Sequence, residues 1–206
     1  MPTPQSRRER AREERRELIL RTARELAESD GWQAVTTRRL ADSVDYSQPV
    51  LYGHFKNMDA IADAVALQGV EELVTVLRDA RTSTPDPAGG LHALATAYLE
   101  YAAEHPAVYE AMFVRPTALT FASADTPALL KTAFAEIQAA IEPFAAGDDP
   151  ETLTEVLWSA LHGQATLTQA TRLRPANHTE RVALLITRLS GNSDHQGGLG
   201  RGHTRG

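Results

Sequence analysis

Residues 35–65 read VTTRRLADSVDYSQPVLYGHFKNMDAIADAV, and this stretch decides the fold. Its central part predicts a helix-turn-helix over residues 36–55. Thr36 and Ser47 each precede a short helical segment, where a side-chain oxygen can accept a hydrogen bond from a free backbone N–H. Pro49 fits the first turn of the second segment, because the N–H groups of a first turn have no acceptor within the helix.

Longer helices are predicted on both sides of this motif. No Pro or Gly interrupts residues 10–28, and apolar side chains recur there at helical spacing. Gly31 ends this helix, since Gly suits the left-handed position that follows a helix. Residues 58–81 show the same apolar spacing after the motif. Two short helices braced by longer ones predict a tri-helical DNA-binding unit.

The second short helix carries side chains that suit DNA. Its apolar residues Val50, Leu51 and Phe55 cannot all face a core, so other residues must occupy an open face. Gln48 can pair with N6 and N7 of adenine, and Tyr52 can donate to a phosphate oxygen. The further candidates on the two short helices are Thr37, Arg38 and His54.

Residues 35–65 resemble the helix-turn-helix signature of the TetR family, and the resemblance covers about residues 14–65. Two positions depart from the family pattern. The turn residue that is commonly Gly is Asp45, which tolerates left-handed backbone better than most residues. The first residue of the next helix, often a phosphate-binding Lys, is Met58, so one backbone contact lacks its usual residue. The candidate DNA-binding residues, most of them implied by the resemblance, are Thr36, Thr37, Arg38, Ser47, Gln48, Pro49, Val50, Tyr52, His54 and Lys56.

Charge is distributed unevenly along the chain. The net charge is −6, but residues 1–58 carry +2 and residues 59–206 carry −8. Six arginines between Arg7 and Arg16 dominate the N-terminal end. They either form a solvated helix face or belong to a flexible arm that follows the DNA backbone or enters a minor groove.

The remaining pattern is helical throughout, which predicts an all-α fold of about nine helices. A turn-rich stretch, TSTPDPAGG at residues 82–90, follows the fourth helix, and no segment shows the alternation of a strand. Further helices are predicted at residues 91–104, 107–113, 127–144, 151–173 and 178–189. The predicted domains are a flexible arm at 1–13, a DNA-binding domain at 14–60, a regulatory and dimerisation domain at 61–190 and a disordered tail at 191–206.

The helix predicted at residues 151–173 contains Trp158, His162 and Gly163, and it resembles the C-terminal domain type of this family that is named for a Trp-His-Gly triplet. The family resemblance implies a homodimer that pairs through the last two long helices. Trp158 and His162 lie one turn apart on one face. They either line a ligand cavity or pack as core near the dimer interface. The same two interpretations apply to the other aromatic residues of this half of the chain. The candidate ligand-binding residues are Tyr98, Phe113, Trp158 and His162.

Several function classes lack their motifs. Without Cys there is no disulfide or thiolate zinc site, and no apolar run reaches the roughly 20 residues that span a bilayer. The phosphate loop, the Gly-x-Ser-x-Gly elbow and the HExxH pattern are all missing, which disfavours an enzyme. A metal-sensing regulator would have to use scattered histidines, namely His92, His105, His162 and His178.

A purely structural helical adaptor would explain the second half of the chain equally well and fails only on the first half. We therefore expect a cytoplasmic transcription regulator without cofactor or metal. We expect it to repress genes as a dimer on double-stranded, palindromic operator DNA and to be released by a largely apolar small molecule.

Overall fold

The computed structural model describes residues 4–116 and 126–191, and these residues confirm the all-helical prediction. They form nine α-helices and no strand. The helices are α1 (Pro4–Asp30), α2 (Thr37–Ser43), α3 (Gln48–His54), α4 (Met58–Thr82), α5 (Pro87–Glu104), α6 (Pro106–Phe113), α7 (Ala128–Ile141), α8 (Pro150–Gln169) and α9 (His178–Ser190). Single 3₁₀ turns occur at Trp32–Ala34, Glu142–Phe144 and Pro175–Asn177.

The chain divides into two compact units. The described residues of Met1–Glu72 and Glu104–Leu130 form the first unit, and those of Leu73–Ala103 and Lys131–Gly206 form the second. The division falls inside α4, which is one continuous helix. The first unit thus contains α6 as well as the three N-terminal helices.

Part of the core of the first unit forms around α2, which lies between α1 and α3. α2 contacts both α1 and α3. Its residues Leu40, Ala41 and Val44 are buried, as are Leu51 and Phe55 at the end of α3. Helices of only seven residues are marginal in water by themselves, so this packing is what stabilises them.

Special backbone conformations set the two turns around α2. Asp45 has φ 55°, and the next N–H, that of Tyr46, donates to the carbonyl of Ala41 at 3.0 Å. The left-handed turn residue predicted from Asp45 is therefore confirmed. Gly31 also has a positive φ of 78°, but its ψ of 161° places it in a region that essentially only Gly adopts, and not in the left-handed helical conformation expected.

α6 is fastened to the end of α1 within the first unit. The Glu28 carboxylate accepts hydrogen bonds from the backbone N–H groups of Ala107 and Val108, at 3.0 and 3.1 Å. The indole N–H of the buried Trp32 donates to the Ala107 carbonyl at 2.7 Å. The guanidinium of Arg115 lies 5.3 Å from the centre of the Trp32 ring. Free N–H groups at a helix start favour an anion, so Glu28 serves as the cap of α6.

A buried carboxylate organises part of the second unit. The side chain of Glu136 in α7 is only 9% exposed and pairs with Arg78 at 2.7 Å and with Arg81 at 2.8 Å. Burial by itself raises the pKa of Glu136, but the hydrogen bonds from Arg81 and Arg78 outweigh it, so the pKa lies below its usual value. Glu136 is therefore held charged at neutral pH.

Several helix ends differ from the sequence-based expectation. α5 begins at Pro87 and not at residue 91, because Oδ2 of Asp86 accepts the N–H of Gly89 at 2.8 Å and caps the helix. Buried Gly90 is required there, since a Cβ would lie 2.7 Å from the Arg81 carbonyl oxygen.

The long helices of the second half end earlier than predicted. α8 stops at Gln169, because the Arg172 N–H turns back to the Leu167 carbonyl at 2.8 Å and Thr171 takes a φ of 54°. α7 ends at Ile141, where Pro143, which has no N–H, continues in a 3₁₀ turn.

A flexible arm and a disordered tail were predicted at the two ends of the chain. Residues 4–13, expected as a flexible arm, are helical and form the start of α1. The tail was predicted at residues 191–206, and its residues 192–206 lie outside the described residues. None of the described helices is both long and apolar enough to cross a membrane.

Candidate nucleic-acid interface

α3 presents an open face beside its buried one. Leu51 and Phe55 fill the core, while Gln48, Pro49 and Tyr52 are exposed. Ser47 and Lys56, at the two ends of the helix, are exposed too, and Val50 is 38% exposed. As expected, the apolar residues of this helix do not all face the core. The open face combines an amide and small apolar surfaces, which can read base edges in a major groove, with a phenol that can donate to a phosphate.

Caps and side-chain contacts fix α3 relative to α2. The Thr36 hydroxyl accepts the N–H of Arg39 at 3.2 Å, so the predicted cap of α2 is confirmed. Ser47 holds the cap position of α3, but its side chain makes no capping hydrogen bond, so that part of the prediction is wrong. Its carbonyl accepts the Val50 N–H instead, at 2.9 Å.

Thr37 and Tyr52 connect the two short helices directly. Their hydroxyl oxygens are 3.3 Å apart and share a hydrogen bond. Tyr52 is 53% exposed, so it does not pack under α3 as a core residue would. The contact places a residue from each helix on one surface of the motif.

The two adjacent arginines of α2 have different surroundings. The side chain of Arg38 is 86% exposed and has only a loose contact with Asp42, at 3.8 Å. Arg39 forms an ion pair with Asp30 at the end of α1. This hydrogen bond and the charge of Arg39 lower the pKa of Asp30. Arg39 thus braces the motif, whereas the Arg38 guanidinium is available to a phosphate or a guanine.

The first turns of α1 lie beside the C-terminal end of α3. The Arg16 guanidinium sits 5.2 Å from the centre of the Phe55 ring. Burial, the largest cause, lowers the pKa of His54, and the positive charges of Arg12, Arg15 and Arg16 lower it further. His54 is therefore neutral at pH 7 in the free protein.

α4 begins directly after the motif with its own cap. The side-chain oxygen of Asn57 accepts the N–H of Ala60 at 2.8 Å. This cap was not expected from the sequence, although Asn is a preferred residue at that position. Met58, the residue that departs from the family pattern, is the first residue of α4 and is half-buried.

Three of the four candidate ligand-binding residues come together in the second unit. Tyr98 is fully buried, and its hydroxyl accepts the indole N–H of Trp158 at 3.0 Å. The rings of Trp158 and His162 are 6.2 Å apart. Burial lowers the pKa of His162, which keeps this ring neutral at pH 7. The fourth candidate, Phe113, belongs to the first unit, where its ring meets Tyr109 edge-on at 5.1 Å.

The last two helices leave apolar side chains exposed. Val156 and Leu167 of α8 are 50% and 46% exposed, and Leu184 of α9 is 58% exposed. Gly163 lies between the first two on the same side of α8, and a Cβ there would meet no atom within 4 Å. No contact among residues 4–116 and 126–191 therefore requires a glycine at this position.

Two contacts between helices within the chain were not predicted from the sequence. The partners Glu28 and Ala107 are 79 residues apart, and Arg78 and Glu136 are 58 residues apart, so no local pattern signals them. Among the described residues, no group of three or more His, Asp or Glu side chains is arranged to hold a metal ion.

Comparison with known proteins matches both parts of the chain. Residues 19–65 match the model for bacterial regulatory proteins of the tetR family, and residues 91–189 match the tetracyclin repressor-like C-terminal domain. The second match does not distinguish the Trp-His-Gly type.

Individual relatives agree with these matches. A tetracycline repressor protein of class C from Escherichia coli is 51% identical over 51 residues, which cover 25% of this chain and 23% of the relative. An HTH-type transcriptional regulator of Mycobacterium tuberculosis, named Rv0681 and called uncharacterized, is 27% identical over 152 residues, or 72% of this chain and 67% of the relative. The chain thus spans about a quarter of the first relative and two thirds of the second.

A solved structure of a Rhodococcus protein of unknown function shares the fold, with a TM-score of 0.67 and 24% identity over 85% of this chain and 93% of that one. With a tetR-type helix-turn-helix and a tetracyclin repressor-like C-terminal domain that together cover most of its length, the chain belongs to the TetR family of transcriptional regulators.

Proposed function

We propose that this chain is a dimeric repressor that reads operator DNA with α3 and releases it when a small molecule binds the second unit. The observation that carries the proposal is the exposed set of Gln48, Pro49 and Tyr52 on a helix whose other face is anchored by buried Leu51 and Phe55. A short, firmly packed helix with open polar side chains fits the major groove.

Each proposed DNA contact has its own chemistry. Gln48 reads adenine, while Pro49 and Val50 meet a thymine methyl group. Arg38 binds guanine or phosphate, and Tyr52 donates to phosphate. The remaining proposed contacts lie at the ends of the two helices and are Thr36, Thr37, Ser47, His54 and Lys56.

The proposed dimer pairs α8 and α9 with the same helices of a second copy. Val156, Leu167 and Leu184 supply exposed apolar surface, and the open space at Gly163 allows a partner helix to approach closely. A two-fold dimer presents two copies of α3, which suits a palindromic operator whose half-sites lie one helical turn apart, about 34–36 Å.

The proposed effector is a largely apolar small molecule, with Tyr98, Trp158 and His162 near its site and Phe113 as a further candidate. We infer that effector binding changes the spacing of the two α3 helices through α4. A ligand shifts such an equilibrium only by its different affinity for the two states. Repression is the action named for the tetracycline repressors that the chain resembles. We propose that the protein acts in the cytoplasm, where it can meet operator DNA, and that it has no catalytic role.

DNA selection from a random duplex pool, followed by anisotropy titration of the selected duplex, tests the proposal. Gln48→Ala should weaken binding and relax the base preference at one position by about 1–3 kcal/mol. The matched control is Gln33→Ala, since Gln33 is an exposed Gln of the first unit outside the motif. Failure of the wild type to select any sequence would refute DNA reading. A reporter gene that the protein activates would refute repression alone.

A further inference from the structure

The first turns of α1 carry an ordered stripe of positive charge. Arg8, Arg12 and Arg15 are spaced as i, i+4 and i+7, so they share one face of the helix, and all three are exposed. Two of the acidic residues in the same segment have another partner. Glu13 and Glu17 contact Arg16, at 3.9 and 3.7 Å, and not the stripe.

The three stripe arginines make no ion pair with another residue in the described ranges, 4–116 and 126–191. A solvated helix face commonly interleaves both signs of charge, because neighbouring pairs then compensate each other. Segregation of one sign onto one face instead creates a local positive field that suits an extended anion.

The stripe lies beside the C-terminal end of α3. The charges of Arg12 and Arg15 act on His54, and Arg16 packs on the Phe55 ring. The side chain of Arg16 is 38% exposed, so it anchors the helix while its neighbours face solvent. The positive stripe therefore lies near the C-terminal end of α3, the helix to which DNA binding is assigned.

We propose that Arg8, Arg12 and Arg15 bind the phosphate backbone of the DNA that flanks each half-site. This inference rests on the proposed DNA-binding function. From Arg8 to Arg15 the helix rises by about 10 Å, which is about three intervals between successive charges of one DNA strand, at roughly 3.4 Å each along the duplex axis. Phosphate contacts position a protein without reading sequence, so the stripe adds affinity and salt dependence but no base preference.

The test uses a triple variant with Arg8→Gln, Arg12→Gln and Arg15→Gln. Gln and Arg have similar helix propensity, so α1 should persist, which circular dichroism checks. The matched control removes the same charge from other faces of α1, with Arg7→Gln, Arg10→Gln and Arg21→Gln, since these arginines are also exposed. The probe is the duplex selected by the wild-type protein, made with flanks of two or of ten base pairs.

We expect the triple variant to reduce the slope of log K against log salt concentration by about 0.9 for each phosphate that the protein no longer neutralises. That gives about 2.7 for the arginines of one protomer and about 5.4 for two. The wild type should bind the long-flank duplex more tightly than the short one, and the triple variant should abolish this difference while keeping the selected sequence.

Equal slope changes in the triple variant and in the control would mean a general charge effect and would overturn the inference. An unchanged slope in the triple variant would overturn it too. Either result leaves the proposed function standing as long as the wild type still selects a sequence. Failure of the wild type itself to select a sequence would refute both.

Discussion

Glu28→Ala should loosen α6 from the end of α1. The substitution removes the acceptor of two backbone N–H groups, those of Ala107 and Val108. Hydrogen bonds to a charged group each contribute roughly 1.5–3 kcal/mol. Because Glu28 is half-buried and water can reach part of the site, we expect the unfolding free energy to fall by about 2–3 kcal/mol in total. Glu28→Gln keeps a neutral acceptor and should cost about 1 kcal/mol.

Urea unfolding of the full chain gives the global effect, and hydrogen exchange of the peptide that contains α6 gives the local one. Faster exchange of the Ala107 and Val108 amides is the direct signature of an uncapped α6. Glu25→Ala is the matched control, because Glu25 is exposed on the same helix. If Glu28→Ala matched this control in stability and kept the protection of α6, the capping role assigned to Glu28 would be refuted.

Three further outcomes are expected. Glu136→Gln should lower the unfolding free energy by about 1–3 kcal/mol at pH 7. The loss is smaller than for a fully buried ion pair, because Arg78 and Arg81 are partly exposed. The control Glu142→Gln, at an exposed position, should leave the unfolding free energy unchanged. The pKa of Glu136 is lower in the folded state than its value of about 4.3 in the unfolded state, so its contribution to stability is present above about pH 4.3. That contribution is lost as the pH falls through the folded-state pKa. The stability difference between Glu136→Gln and wild type should therefore shrink in acid. Gly163→Leu should give monomers in sedimentation experiments, because the side chain would fill the space proposed for the partner helix. The control Ala139→Leu, at an exposed position of α7, should leave the dimer intact. A dimeric Gly163→Leu variant would contradict the proposed interface. A DNA phosphate should raise the lowered pKa of His54, so the affinity for DNA should increase as the pH falls from 7.5 towards about 6. The control His54→Gln should lack this pH dependence. A wild-type affinity as independent of pH as that of His54→Gln would contradict a phosphate contact at His54.

The helix-turn-helix could be predicted because its signals are local. Thr36 caps α2, and Asp45 takes the left-handed turn, both within a few residues of the helix they bound. The apolar residues of α2, Leu40, Ala41 and Val44, recur at helical spacing, and all three are buried. Spacing predicted only that the apolar residues of α3 could not all be buried, and the family resemblance supplied most of its candidate DNA-binding residues. The structure shows that Leu51 and Phe55 are the buried ones.

Helix ends were less predictable where two signals compete. The stretch at residues 82–90 contains both turn residues and the Asp86 cap, so the start of α5 was placed four residues late. Ser47 has the right side chain for a cap, but the structure uses only its carbonyl. Local composition gives the tendency to cap, and the backbone geometry decides which atom does so.

The sequence by itself determined the all-helical class, the place of the helix-turn-helix and the face of α3 that remains open. Those features depend on side-chain periodicity and on caps within one or two turns of the chain. Only the tertiary structure decided that α6 is capped by Glu28, that Arg39 braces the motif while Arg38 is open, and that the first arginines extend α1 as a helix. The physical reason is distance along the chain: a charge finds its partner 79 residues away only after apolar burial has brought their helices together.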